Sequence, residues 1–363
     1  MKDIVILDAV RTPIGKYRGA LSHLSAVDLG VITSEALLNR HSSIKSDISQ
    51  SIFGAVLTSG LGQNIARQIS VKSGISVEVP AFTVNEVCGS GMKAILLARQ
   101  SLALDEATVV LAGGVESMSN AETMQIDGLT DAFENIPMGV TVERLVKEFN
   151  ISREAMDAFA LDSHDKALKA DFSSEIVPVE EVTADQAPRS GSSLEKLASL
   201  SPVFSENGTI TAATATPVND GATALLITSR EYAEKYDLPY LAIIKDAVEV
   251  AVEPSRMAIS PIKAISQLLE KTNLSIADID CFEINEAFAA SSIIIEQELG
   301  LDHKKVNVKG GAIALGHPLG MSAARITGSL AHQLYDKDLK YGVASLCIGG
   351  GLGLAMLLEN PNA

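Results

Sequence analysis

Strand-like and helix-like stretches alternate along most of this 363-residue chain, and that alternation restricts it to the α/β class. Apolar runs of strand length lie at 4–7, 52–57, 82–84 and 109–112, and helical stretches at 26–39, 64–73 and 92–104. The pattern returns at 241–250, 262–271, 279–284, 287–299, 322–334 and 342–346. A short echo links the two regions. Val109-Val110-Leu111-Ala112-Gly113-Gly114 and Ala344-Ser345-Leu346-Cys347-Ile348-Gly349-Gly350 each read as an apolar strand running into glycines. Residues 119–218 differ in texture. They hold helical stretches at 140–149 and 154–170, and a portion rich in Ser, Gly and Pro at 184–201. Ser152 is placed to cap the second of these helices, with Glu154 complementing the dipole in its first turn.

A hydrophobic content of 47% supplies a substantial core. No run of about 18 apolar residues occurs, so no membrane span is expected. Met1-Lys2-Asp3 leads directly into the first strand and leaves no room for a signal peptide. Three widely spaced cysteines make no disulfide framework, and a working thiol needs a reducing compartment, so a cytoplasmic protein is expected. The net charge of −16 argues against nucleic-acid binding, which needs a basic face.

The chemistry concentrates in four segments. In Asn85-Glu86-Val87-Cys88-Gly89-Ser90-Gly91-Met92-Lys93-Ala94, a cysteine falls between the buried strand expected at 80–84 and the helix expected from 92. Bare N–H groups and the helix dipole at such a corner favour a thiolate, although a lone cysteine is also at home as a small buried hydrophobe. Gly310-Gly311-Ala312-Ile313-Ala314-Leu315-Gly316-His317-Pro318-Leu319-Gly320 sets one histidine in an almost uncharged loop before a helix. The other five (His23, His41, His164, His303 and His332) lie among polar neighbours and are expected to face solvent. Cys347 ends a strand beside Ile348-Gly349-Gly350-Gly351. Glu283-Ile284-Asn285-Glu286-Ala287-Phe288-Ala289 inserts amide and carboxyl groups between apolar stretches, where buried polar groups need partners or a function.

Taken with Asp8-Ala9-Val10-Arg11-Thr12-Pro13-Ile14-Gly15, these motifs stand in the order seen in thiolases, and the resemblance runs essentially end to end. The chain resembles the biosynthetic, acetyl-CoA acetyltransferase kind. The resemblance implies two related βαβ-type halves in a layered αβαβα core, at 1–118 (completed by about 219–238) and 239–363. Between them, 119–218 would form an inserted loop domain that binds the coenzyme. It implies that Cys88 carries the acyl group, that Cys347 moves the α-proton, and that His317 stabilises the Cys88 thiolate and donates to the enolate oxygen. Asn285 would hold a water in that oxyanion hole, and the N–H groups of Cys88 and Gly349 would form a second hole. Preorganised donors of this kind are worth roughly 2.7–4 kcal/mol each. Contacts to the coenzyme are implied for Met138, Arg189, Thr216, Ala287 and Phe288. Lys196 either helps there or is a solvated cation. Acetyl-CoA, acetoacetyl-CoA and CoA would be the ligands, with no further cofactor and no metal, and the assembly a homodimer. Coenzyme A carries phosphates, so its surface must be locally basic on an acidic chain. Cys281 reads as core packing and Glu286 as a network residue.

Three departures from the family pattern stand out. Residues 119–138 are short and lack the longer basic loop of relatives. Pro137 stands where a histidine is common. Ala213-Thr214-Ala215-Thr216-Pro217-Val218-Asn219-Asp220 replaces the usual Gly-Asn-Ala-Ser-Gly-Leu-Asn-Asp, and Pro217 fixes φ and removes a donor. The rival readings are a degradative 3-ketoacyl-CoA thiolase, a decarboxylating ketoacyl synthase, a Cys/His hydrolase and an inactive acyl-CoA- or lipid-binding homologue.

Overall fold

In the first strand, Ile4, Ile6 and Ala9 join one apolar cluster while Val5, Leu7 and Val10 join another. A strand buried on both faces reads as a continuous hydrophobic run rather than an alternating one. The computed structural model describes residues 2–363; Met1, part of the N-terminal stretch read above, lies outside them.

The main sheet has ten strands: β1 (Ile4–Arg11), β2 (Gly15–Lys16), β3 (Ile48–Gly54), β4 (Ala81–Val84), β5 (Val109–Ser117), β6 (Asn219–Ser229), β7 (Ala242–Ala251), β8 (Cys281–Ile284), β9 (Tyr341–Ile348) and β10 (Leu352–Glu359). Eight helices of two turns or more accompany them: α1 (Ala26–Arg40), α2 (Ile65–Lys72), α3 (Ser90–Ala103), α4 (Met138–Glu148), α5 (Arg153–Lys169), α6 (Ser260–Thr272), α7 (Ala289–Leu299) and α8 (Leu319–Asp336). Strand order is β8-β9-β10-β7-β1-β6-β5-β3-β4, with β2 beside β6.

The order contains a repeat. In the first half β3 and β5 are parallel, and β6 and β1 follow antiparallel. In the second half β8 and β9 are parallel, and β10 and β7 follow antiparallel. The sequence echo thus falls on β5 and β9, which hold corresponding places. The halves meet where β1 pairs with β7, at Ile4↔Ile244, Val5↔Ile243 and Ile6↔Ala242. Helices α1 and α2 cover the outer face of the first half, and α6 that of the second. Helices α3 and α8 share one core cluster with strands of both halves, and so form the middle layer of an α–β–α–β–α arrangement.

The 80–84 stretch differs from the buried strand expected. It forms β4 at the sheet edge, paired on one side only, and Phe82 is 37% exposed. Strands β6 and β10 are masked in the sequence, because Asn219-Asp220-Gly221 and Gly349-Gly350-Gly351 read as turns at their starts. Helix α5 begins as anticipated: the Ser152 side chain accepts from the N–H of Ala155. No helix among the described residues is long and apolar enough to cross a membrane.

Candidate active site

The loop before α3 is held by its own side chains. The N–H of Val87 donates to Asn85 Oδ1 at 2.9 Å, and Ser90 Oγ donates to the Val87 carbonyl at 2.7 Å. Ser90 Oγ also accepts from the N–H of Glu86. These bonds hold Val87 at φ +48, a left-handed conformation that a β-branched residue adopts only when its surroundings impose it. The turn delivers Cys88 to the start of α3. A Cβ on Gly89 would lie 2.4 Å from Ile348 Cδ1, and one on Gly91 would lie 2.7 Å from the Ala324 nitrogen. The two glycines therefore let β9 and α8 close on the thiol.

Cys88 is buried, and burial pushes its thiol up to about 11, although the N–H groups of Gly349 and Cys88 itself pull it down. Desolvation thus opposes the pull that the helix end exerts towards the thiolate. Burial likewise pushes Cys347 up to about 12, with Cys88 raising it further. His317 moves the other way, down to about 3, because burial and the Arg325 charge disfavour the imidazolium. Burial thus favours the uncharged form of all three groups.

Proton placement on His317 follows from its neighbours. Its Nδ1 lies 2.5 Å from Ser322 Oγ, and Ser322 Oγ donates to the Pro318 carbonyl. Nδ1 therefore carries the hydrogen, and Nε2 presents a lone pair towards Asn285 Nδ2 at 3.5 Å. Asn285 Oδ1 is buried without a partner, an acceptor suited to an ordered water or a ligand. The N–H of His317 donates to Asn219 Oδ1, whose Nδ2 donates to the Gly15 carbonyl.

On the other side of Cys347, Met138 lies against Gly349: a Cβ there would meet Met138 Cε at 2.6 Å. Cys347 itself joins an apolar cluster with Ala287, Phe288 and residues of α4 and α5. Phe288 meets Phe204 edge to face at 5.9 Å, and Ala215 bridges Phe288. The Thr216 hydroxyl donates to the Ala312 carbonyl at 3.0 Å, so its proton is already engaged. Arg189 is exposed and lines a cavity of about 690 Å³ with Lys16, Tyr17, His164, Pro217 and Asn219. Lys16 and Arg189 make that rim locally basic. Lys196 is exposed, and its Nζ donates to the Gly191 carbonyl.

Two histidines differ from expectation. His164 is buried and accepts from the Arg189 N–H through Nδ1, and His332 is buried with Nε2 2.8 Å from the Ala9 carbonyl. Short-range polarity misplaced them, since each turns inward from a helix. Cys281 is buried beside Gln333 Oε1 in the core. Glu286 accepts from Ser163 Oγ, Asn307 Nδ2 and the N–H of Ile313. It joins the Asn285 segment to α5 and to the loop that carries His317. Ser322, Asn219, Ser163 and Asn307 were not singled out from sequence. Ser322 had one signal, a hydroxyl on the first turn after His317-Pro318.

Two thiols and a neutral imidazole, ringed by backbone N–H groups on a duplicated α/β core, define a thiol-dependent acyl-transfer enzyme. The thiolase N-terminal domain family matches residues 4–127 and 120–231, and the thiolase C-terminal domain family matches residues 238–360. The chain belongs to the thiolase family of acyltransferases. It is 43% identical over 390 aligned residues to a probable acetyl-CoA acetyltransferase of Escherichia coli, covering 99% of each chain. Its fold matches that of the Acat5 thiolase from Ascaris suum, solved with coenzyme A, with a TM-score of 0.94 and 41% identity over 99% of this chain and 100% of that one. Human mitochondrial 3-ketoacyl-CoA thiolase gives a TM-score of 0.95 with 37% identity over 99% of both chains.

Proposed function

We propose that the protein is an acetyl-CoA C-acetyltransferase, which joins two acetyl-CoA molecules into acetoacetyl-CoA and CoA and runs the reverse thiolysis. The observation that carries this reading is the placement of two buried thiols, Cys88 and Cys347, on segments that pack directly together, with Ile348 against Gly89 and Val87 against Gly349. A single thiol suffices for acyl transfer; forming a carbon–carbon bond needs a second group to move the α-proton. Cys88 Sγ attacks the thioester carbonyl as its proton passes to His317 Nε2, and the departing CoA thiolate takes the proton of Cys347. The acetyl oxygen sits between the N–H groups of Cys88 and Gly349. After a second acetyl-CoA replaces CoA, the Cys347 thiolate takes its α-proton. His317 and a water on Asn285 stabilise the enolate oxygen. The enolate carbon attacks the acetyl group, the bond to Cys88 breaks, and Cys88 recovers its proton from His317.

Met138, Thr216, Ala287 and Phe288 would line the pantetheine passage, with Arg189 and Lys196 towards the nucleotide. The coenzyme-bound Ascaris relative supports that assignment of ligand. The reduced thiols suit a cytoplasmic enzyme, and a homodimer is the expected assembly. Brief incubation with acetyl-CoA followed by mass spectrometry tests the reading. An acetyl group should appear on the Cys88 peptide and vanish in Cys88→Ser; finding it on Cys347 or Cys281 refutes the assignment. The likeness to the human 3-ketoacyl-CoA thiolase favours a second reading, the degradative one. Thiolysis rates against 3-ketoacyl-CoA of rising chain length decide between the two, and the degradative reading stands if long chains outperform acetoacetyl-CoA.

A further inference from the structure

Glu116 lies near the end of β5, fully buried, and among the described residues no basic side chain is bonded to it. Its carboxylate instead accepts three backbone N–H groups: Val56 at 3.2 Å, Leu57 at 3.1 Å and Gly320 at 2.9 Å. Val56 and Leu57 belong to the loop after β3 and share an apolar cluster with Cys88, Met92 and Leu319. Gly320 lies in the first turn of α8, three residues after His317. The backbones here touch directly: a Cβ on Gly114 would lie 2.0 Å from the Gly320 carbonyl oxygen, and one on Gly320 would lie 2.5 Å from that of Val115. A buried carboxylate without a cation is costly, and three donors offset part of that cost.

We propose that Glu116 is a positioning residue of this site, whose carboxylate clamps the loop after β3 to the first turn of α8 and so holds Cys88 opposite His317. The proposal rests on the roles given above to Cys88 and His317. The clamp acts on the site in two opposed ways. It fixes the distance over which the proton of Cys88 travels, and its negative charge raises the Cys88 thiol. Burial and the neighbouring Asp220 carry Glu116 itself up to about 7, the donors pulling the other way.

Glu116→Gln separates the two effects. The amide keeps the size, loses the charge and turns one acceptor oxygen into a donor, so at least one arm of the clamp is lost. We expect Cys88 alkylation by iodoacetamide to shift its midpoint to lower pH, while turnover falls roughly 10- to 100-fold. Loosened packing would also hydrate the thiol and lower its midpoint, so a second variant that keeps the charge separates the two causes. Glu116→Asp keeps the charge on a shorter arm, so its midpoint should stay at the wild-type value while turnover drops with KM for acyl-CoA unchanged. Turnover of the Gln variant within about threefold of wild type overturns the proposal. So does lost turnover with an unmoved midpoint, which marks a role in folding alone. If the Gln variant does not fold, undiminished turnover of the Asp variant overturns the proposal in its place. Alkylation reads the thiol whichever acyl-CoA is used. A wild-type Cys88 that takes up no acetyl group defeats the proposed function, whereas the midpoint shift tests the clamp.

Discussion

His317 Nδ1 lies 2.5 Å from Ser322 Oγ, and that hydroxyl gives its own proton to the Pro318 carbonyl at 2.7 Å. The hydroxyl oxygen is thereby left to accept from Nδ1–H, which fixes the tautomer and keeps the Nε2 lone pair facing the site. Ser322→Ala removes the acceptor and lets the imidazole take the other tautomer. Turnover should fall by about 10²-fold, with KM for acetyl-CoA nearly unchanged, because the loss falls on proton transfer rather than binding. Steady-state thiolysis of acetoacetyl-CoA measures it, and undiminished turnover would show that Ser322 does not set the tautomer.

Cys347→Ala should separate the two half-reactions. Its peptide neighbours and the Cys88 loop stay in place, so an acetyl group should still load onto Cys88. Carbon–carbon bond formation should drop by several orders of magnitude, since the base is gone. Mass spectrometry of the acetyl adduct, beside an assay of acetoacetyl-CoA formation, gives both numbers. Normal condensation in this variant would remove Cys347 from the mechanism.

His317 and His164 resist protonation in the folded state, at about 3 and about 4, mainly through burial. The unfolded chain binds these protons near pH 6.5, so each histidine withdraws stability as pH falls from about 6.5 towards its folded value. Glu116, raised to about 7, acts in the opposite sense and loses stability as pH rises through 4.5 to 7. A difference measurement isolates one group. His164→Gln keeps an acceptor for the Arg189 N–H and removes the titration. Its stability should fall less than that of the wild type between pH 6.5 and 4.5, by up to about 1.4 kcal/mol per pH unit. Parallel urea titrations of the two proteins check this, and identical slopes would contradict it.

Assembly should stop at the dimer. The β4 edge is unpaired and shows Phe82 to solvent, a feature that proteins seldom leave uncovered. The short segment before Met138, in contrast, offers Asn120-Ala121-Glu122-Thr123-Met124-Gln125 and no basic residue to reach across to a second dimer. Light scattering should give twice the chain mass of 38.2 kDa. A four-chain mass that persists on dilution would refute the expectation.

Much of the fold is legible in the sequence because its strands are buried on both faces and its turns are marked by glycine. The echo between 109–114 and 344–350 locates the repeat, since corresponding strands need the same apolar run and the same close-packed ending. The four motifs are legible for a related reason: Cys88, Asn285, His317 and Cys347 are polar or reactive groups set where the pattern asks for apolar ones. Ser322 and Glu116 escape notice because they act through backbone and through other side chains, which no spacing rule reveals. The burial that opposes a thiolate at Cys88 is not legible at its helix end, since the extent of burial is a property of the packed chain. His164 turns inward from between Asp162 and Asp165, and His332 from a helix stretch whose flanks, Ala331 and Gln333, are themselves buried.

The correspondence of the two halves bears on how such a site can arise. Helices α3 and α8 are counterparts in the middle layer, and Cys88 and His317 each stand two residues before their helix. The residues proposed as nucleophile and proton acceptor thus occupy one structural position that occurs twice. A single-half ancestor assembling about a twofold axis would set identical residues face to face there, two thiols or two imidazoles. Tandem duplication and fusion into one gene would free the copies to diverge, and only then could one become the attacking group and the other its base.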